Sequence, residues 1–129
     1  MKHYHGTPIG GKKHQTIEFV ENRFMLIPWK RADDLDVVCE NCRGFIVDNS
    51  AFSFWRNNQQ PKWSEYAMWV TEVSKNPRFD FAFIPDVIDG TVEENNRLVD
   101  WWTRQLASLK IPSCPVWHLH ETFERLRWL

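Results

Sequence analysis

The chain has 129 residues, and its 16 Lys and Arg nearly balance its 17 Asp and Glu, for a formal net charge of -1. This balance excludes a uniformly basic nucleic-acid coat and a charge-driven disordered chain, although it is compatible with a local basic patch. Aromatic residues make up 15% of the sequence, including 8 Trp and 9 Phe, which indicates a folded protein that buries large rings. We therefore expect a single domain over residues 1–129, or part of a larger one.

The N-terminus and the cysteines favour a cytoplasmic protein. Residues 1–14 contain no apolar run of the kind found in signal peptides, and no stretch approaches the ~20 apolar residues of a membrane span. Three cysteines, Cys39, Cys42 and Cys114, are too few for a disulfide scaffold. The single Cys39-x-x-Cys42 pair lacks the second pair of ligands that structural zinc needs, so we expect no metal there.

The first half of the chain alternates short apolar runs with one segment of helical periodicity. We predict strands at residues 3–5, 25–29 and 44–48. A helix is predicted at residues 14–23, where Ile17, Val20 and Phe24 recur at helical spacing. Residues 49–62 are polar and rich in turn-forming residues, so the sequence predicts a long loop there.

The second half continues the alternation. A helix capped by Ser64 is predicted from its apolar spacing and ends before Asn76-Pro77. A strand buried on both faces is predicted at residues 79–86. Thr91 and Glu94 have the spacing of a capping box, which predicts a helix over residues 92–109. A fifth strand is predicted at residues 114–120, followed by a helix whose apolar stripe consists of Phe123, Leu126 and Leu129.

This alternation predicts an α/β fold of parallel βα repeats. Two architectures fit the pattern. One is a small open parallel sheet with helices on both faces. The other is about half of a (β/α)8 TIM barrel, because a complete barrel typically needs ~250 residues.

Polar residues follow several predicted strands, at the edge where ligand sites form in parallel α/β folds. Asp48 and Asn49 end the third strand, and Asp86 ends the fourth. At the same edge we expect four further side chains, His5, His118, His120 and Glu121. Structural roles stay open for these residues: a turn for Asp48, a loop cap for Asp86, a core position for one histidine of the pair, and the first turn of the last helix for Glu121.

Two segments resemble a known enzyme family. The run Phe45-Ile-Val-Asp48-Asn-Ser-Ala-Phe52 resembles the Asp-Ser-Gly-Gly-Tyr/Phe-Gln signature of tRNA-guanine transglycosylases. The run Phe79-Asp-Phe-Ala-Phe-Ile-Pro-Asp86 is similar to a later strand of that family, which ends in a base-recognising Asp. The whole chain looks closest to the phage and bacterial relatives that place 7-deazaguanines in DNA, and it spans about the N-terminal half of such a barrel.

The resemblance implies an exchange of guanine and 7-deazaguanine bases in nucleic acid. It makes Asp48 a general acid and base, and it makes Phe52 the ring that stacks on the purine. It implies that Asp86 accepts hydrogen bonds from the Watson–Crick edge of the base and that Asn49 belongs to the base-binding turn. The turn departs from the family, since Asn49, Ser50, Ala51 and Ser53 replace its Ser, Gly, Gly and Gln.

The same resemblance implies that this chain is a truncated or split form. The nucleophilic Asp and the zinc site of the family lie on later segments, so we expect no cofactor here and a nucleophile from elsewhere. The implied partners are guanine or 7-deazaguanine and either DNA or tRNA. Apart from the resemblance, the basic residues that could contact phosphate at the rim are Lys12, Lys13, Arg56 and Lys62.

Two other functions fit the sequence. His118-x-His120 would place two imidazoles on one strand face, and with Asp48 or Asp86 they would form the site of a metal-dependent hydrolase. Alternatively, a half barrel exposes two unpaired edges, and a protein of this kind would act as a non-catalytic assembly partner or would homodimerise.

Overall fold

Five parallel strands form one sheet in the computed structural model, which describes residues 1–8 and 10–129. The strands are β1 (Tyr4–Gly6), β2 (Phe24–Pro28), β3 (Gly44–Asp48), β4 (Phe79–Phe83) and β5 (Ser113–Cys114). They are hydrogen-bonded in the order β1-β2-β3-β4-β5, and every neighbouring pair is parallel. The predicted α/β class with parallel βα repeats is confirmed.

Helices connect the strands. They are α1 (Lys13–Val20), α2 (Leu35–Asn41), α3 (Ala51–Arg56), α4 (Trp63–Val73), α5 (Val92–Leu106) and α6 (Phe123–Trp128), with a 3-10 turn at Trp29–Asp34 before α2. None of the helices in the described residues is long and apolar enough to cross a membrane.

The main core lies between one face of the sheet and four of the helices. Alternate strand residues such as Met25 and Phe45 are fully buried there, because successive side chains of a strand point to opposite faces. They pack with side chains of α1, α2, α4 and α5 in one cluster, which includes Val20, Val38, Val70 and Trp102. The consecutive strand order explains this one-sided helix layer, because right-handed crossovers that advance in one direction all return over the same face.

The opposite face of the sheet is lined by aromatic rings. The ring centroids of Tyr4 on β1 and Phe81 on β4 are 6.0 Å apart, although two strands lie between them. In a flat sheet, strands three positions apart are separated by about 14 Å, so the contact indicates a sheet that curves toward this face. Tyr4 Oη also donates to Asp80 Oδ2 over 2.7 Å. In a doubly wound sheet the strand order reverses at one point, whereas the strands of this curved sheet are ordered consecutively, as in a barrel. The half-barrel architecture stays a prediction.

The predicted start of α5 is confirmed in detail. The Thr91 side chain accepts a hydrogen bond from Glu94 N over 3.1 Å, and Glu94 Oε2 accepts one from Thr91 N over 2.8 Å. These two bonds satisfy amide groups that have no partner within the helix. The helix then runs from Val92 to Leu106, three residues shorter than predicted, and Leu109 is 51% exposed beyond its end.

Other element boundaries differ from the predictions. Phe24 begins β2 instead of continuing the first helix, and the cap of α4 is Lys62 rather than Ser64. β4 ends at Phe83, and the predicted fifth strand consists only of Ser113–Cys114. Pro115 explains the short β5, because proline has no N–H to continue the ladder.

The predicted loop over residues 49–62 is wrong in its first half, where α3 forms. The Asn49 side-chain oxygen accepts a hydrogen bond from Ala51 N over 2.8 Å. Ser50 has a φ of 61°, in the left-handed region, and its Oγ accepts a bond from Lys30 N over 3.1 Å. Side-chain bonds thus hold the turn that starts α3, in place of the glycines that such a backbone usually needs.

Candidate active site

Asp48 lies at the carboxyl end of β3, the central strand of the sheet. Phe45 and Val47 of this strand are fully buried, and β3 pairs with β2 on one side and with β4 on the other. Both features fix the backbone that carries Asp48. Its Oδ2 accepts a hydrogen bond from Ser50 N over 3.1 Å, as a turn-closing carboxylate does. Burial nevertheless raises the pKa of Asp48 above its ordinary value, and the nearby charge of Asp86 raises it further.

We expect the ionised side chain of Asp48 to destabilise the folded protein near neutral pH. A carboxyl whose pKa is raised by folding binds its proton more tightly in the folded than in the unfolded chain, so ionisation favours unfolding. Asp48→Asn should therefore increase the free energy of unfolding at pH 7, and this gain should vanish well below pH 4, where both states are protonated. Urea denaturation at the two pH values measures it, with the exposed Asp100→Asn as control. A gain that is independent of pH would contradict this assignment.

Asp86 lies 5% exposed on the segment after β4, where two side chains hold it. Asn49 Nδ2 donates to Asp86 Oδ1 over 2.6 Å and to the backbone oxygen of Ile84 over 2.7 Å. His118 Nε2 lies 2.9 Å from Asp86 Oδ2. The cluster therefore joins the ends of β3 and β4 to the segment after β5, as the parallel topology predicts.

Glu121 fixes the loop that carries His118. Its Oε2 accepts a hydrogen bond from His118 N over 2.9 Å, and its Oε1 is 3.7 Å from His118 Nδ1. Arg125 Nε lies 2.8 Å from the same Oε1, in ion-pair contact. Burial alone would raise the pKa of Glu121, but the His118 amide and the Arg125 guanidinium together lower it below its ordinary value.

Tyr66 of α4 lies near the two carboxylates of the site. Its side chain is fully buried on α4, and its hydroxyl donates to the backbone oxygen of Phe83 over 2.8 Å. Burial, reinforced by the charges of Asp48 and Asp86, raises its pKa well above the ordinary value. The Tyr66 phenol therefore stays neutral near Asp48 and Asp86.

The structure brings together four of the predicted site residues, which are Asn49, Asp86, His118 and Glu121, with Asp48 beside them. His120 stacks on His118, with ring centroids 5.5 Å apart and planes at 6°, but both residues follow the end of β5. The prediction that they share a strand face is therefore wrong. Glu121 likewise precedes Thr122, the cap of α6, and does not lie in the first turn of that helix.

Two predicted residues lie on other surfaces. His5 is exposed on the edge strand β1 and packs edge-on against Phe19 of α1. Phe52 is 57% exposed in the first turn of α3, with its ring centroid 5.5 Å from that of Trp55. His5 is thus on the helix side of the sheet, while Phe52 lies in α3, four residues after Asp48 along the chain.

The sequence reasoning missed Arg125 and the role of Tyr66. Glu121 and Arg125 are four residues apart, the spacing of a favourable ion pair, and this signal could have found the pair. Within the described part of the chain, no group of three or more His, Cys, Asp and Glu side chains is arranged to hold a metal ion. The hydrolase hypothesis stays a prediction, to be tested by metal analysis of the purified protein.

Searches of family models, of curated proteins and of solved structures find no match to this chain.

Proposed function

We propose that the chain binds a guanine-type or 7-deazaguanine base above Asp48 and serves in its exchange in DNA or tRNA. The observation that carries the proposal is the pair of neighbouring carboxylates, Asp48 and Asp86, at the carboxyl ends of adjacent parallel strands. A carboxyl of raised pKa keeps its proton to a higher pH than an ordinary aspartate, which suits a group that gives and takes a proton. The exposed ring of Phe52, in the first turn of the helix that follows Asp48, offers a surface on which a purine stacks.

In this proposal Asp48 handles the proton of the departing and arriving bases. When the bond between the sugar C1′ and the base nitrogen breaks, the electron pair stays on the base, and Asp48 gives its proton to that nitrogen. A nucleophile from another chain or segment holds C1′ as a covalent intermediate. Asp48 then takes the proton of the incoming base as its nitrogen attacks C1′ and releases the nucleophile.

Asp86 recognises the base in this proposal. Guanine-type bases present two adjacent donors, N1–H and the exocyclic amino group, which match the two oxygens of one carboxylate. A carboxylate has about four acceptor positions, and Asn49 and His118 use one on each oxygen of Asp86. The two side chains orient the carboxylate and leave one acceptor position on each oxygen for a base.

Base binding tests the proposal. Calorimetric titration should show saturable binding of 7-deazaguanine and guanine, and binding at least about tenfold weaker for adenine, which lacks the paired donors. Asp86→Asn should weaken guanine binding by a similar factor because one acceptor oxygen becomes a donor. Asp100→Asn, an exposed carboxylate on α5, is the matched control.

Equal binding of adenine and guanine by the unaltered protein would refute base recognition by Asp86. So would an Asp86→Asn variant that folds and binds guanine as tightly as the Asp100→Asn control.

A further inference from the structure

One exposed face of α3 carries two large rings and a cation. Phe52 is 57% exposed, Trp55 is 47% exposed, and Arg56 is exposed at the end of the helix. Residues three and four positions apart share a helix face, so these three side chains form one surface, here called the α3 platform. Its two rings lie 5.5 Å apart between centroids, with planes at 37°.

The larger ring is held in place while one side of it remains open. The indole N–H of Trp55 donates to Asp89 Oδ2, in the turn before α5. A polar bond at the ring edge fixes the orientation of the indole and leaves its apolar face available for stacking. The Trp55 ring therefore loses little conformational entropy when a ligand stacks on it.

A groove continues from the platform toward the site. Its walls include Phe54, Trp55, Pro61 and Trp63, Gln59 and Gln60 add amide groups, and Asp86 of the site is also one of its lining residues. A second cation lies beside this groove, because Lys30 Nζ donates to Gln59 Oε1 and sits 4.8 Å from the ring centroid of Phe54.

We propose that the α3 platform and this groove bind the unpaired strand that flanks the target base. One base stacks on Trp55, and the phosphates beside it contact Arg56 and Lys30. Aromatic faces combined with cations along a groove are the means by which proteins hold single-stranded nucleic acid. The proposal rests on the proposed function for its target base. It adds a second subsite on α3, between Phe52 and Arg56.

The charge distribution supports a nucleic-acid strand as the occupant. The whole chain has a formal net charge of -1, so it exerts no general attraction on polyanions. Lys30 and Arg56 flank the exposed rings and provide a local attraction for phosphate. The two carboxylates in the same region already have partners, since Asp89 accepts the indole N–H of Trp55 and Asp86 contacts Asn49 and His118.

Fluorescence anisotropy of a labelled unpaired DNA strand tests this subsite. We expect Trp55→Ala to weaken binding about tenfold or more through the lost stacking. Arg56→Gln should lower the slope of log K against log salt by about 0.7, the value for one phosphate contact in single strands. Phe123→Ala is the control for the ring, because Phe123 is an exposed phenylalanine stacked on Trp117, and Arg104→Gln is the control for the charge.

Three results would overturn the subsite: Trp55→Ala binding as tightly as Phe123→Ala, a salt slope unchanged by Arg56→Gln, or duplex DNA binding as tightly as the unpaired strand. Titration with free guanine distinguishes this failure from that of the proposed function. Free-base binding that survives Trp55→Ala while strand binding is lost supports both proposals. Strand binding that depends on Trp55 in a protein that ignores free guanine supports the subsite and refutes base recognition.

Discussion

Tyr66→Ala should lower the free energy of unfolding by about 3–5 kcal/mol, the cost of removing a large buried ring. The Tyr66 ring is fully buried, and its centroid is 5.3 Å from those of both Trp29 and Trp102. It therefore joins the 3-10 turn after β2 to α5 through α4. Urea denaturation followed by far-ultraviolet circular dichroism measures the loss.

Tyr66→Phe separates packing from hydrogen bonding at this position. It keeps the ring but removes the donor to the backbone oxygen of Phe83, so a smaller loss of about 1–3 kcal/mol is expected. Met68→Ala, on the same helix at 71% exposure, should change stability little. Equal losses for Tyr66→Ala and Tyr66→Phe would show that ring packing is not what Tyr66 contributes.

Arg125→Met should also destabilise the protein strongly, by about 3–5 kcal/mol at neutral pH. The side chain of Glu121 is fully buried beside Arg125, so removal of the guanidinium leaves a buried carboxylate whose remaining polar contacts are with His118. The double variant Glu121→Gln with Arg125→Met should recover most of the loss, because it removes both charges. Arg127→Met, an exposed neighbour on α6, is the control.

The pH dependence of this loss has a definite sign. Folding lowers the pKa of Glu121 from its ordinary value of 4.5, so its stabilising effect is full above that value and is lost as the pH falls through the folded pKa. The destabilisation by Arg125→Met should therefore shrink in acid, as measured by urea denaturation at pH 7 and pH 3. A loss of the same size at both values would contradict the role of the Glu121 charge in the effect of Arg125.

The sequence is most informative where local chemistry and burial agree. β3 is an unbroken buried run between Gly44 and Asp48, and its predicted bounds match the structure. The capping box of Thr91 and Glu94 is equally local, since both bonds join residues three positions apart. The carboxylates at the ends of β3 and β4 could be placed at one edge from parallel topology alone.

Tertiary contacts explain what the sequence did not predict. α3 follows a turn that Asn49 and Ser50 stabilise, and the Ser50 bond comes from Lys30, 20 residues earlier in the chain. On α6, the predicted apolar stripe is exposed at Phe123 and Leu126, whereas Arg125 is buried. Periodicity treats arginine as a surface residue, but the burial of Arg125 is made favourable by its ion pair with Glu121 and by the hydrogen bond from its Nη1 to Asn96 Oδ1.

The contact between the first and fourth strands has a consequence for the order of folding. Each strand pairs with the next one along the chain, so a growing polypeptide can add βα units one after another, with short loop closures. The bond from Tyr4 to Asp80 spans 76 residues and has no partner until β4 has emerged. The aromatic layer on the face opposite the main core is therefore completed only after β4 has been synthesised, and until then Phe24 and Leu26 of the nascent chain lack its cover.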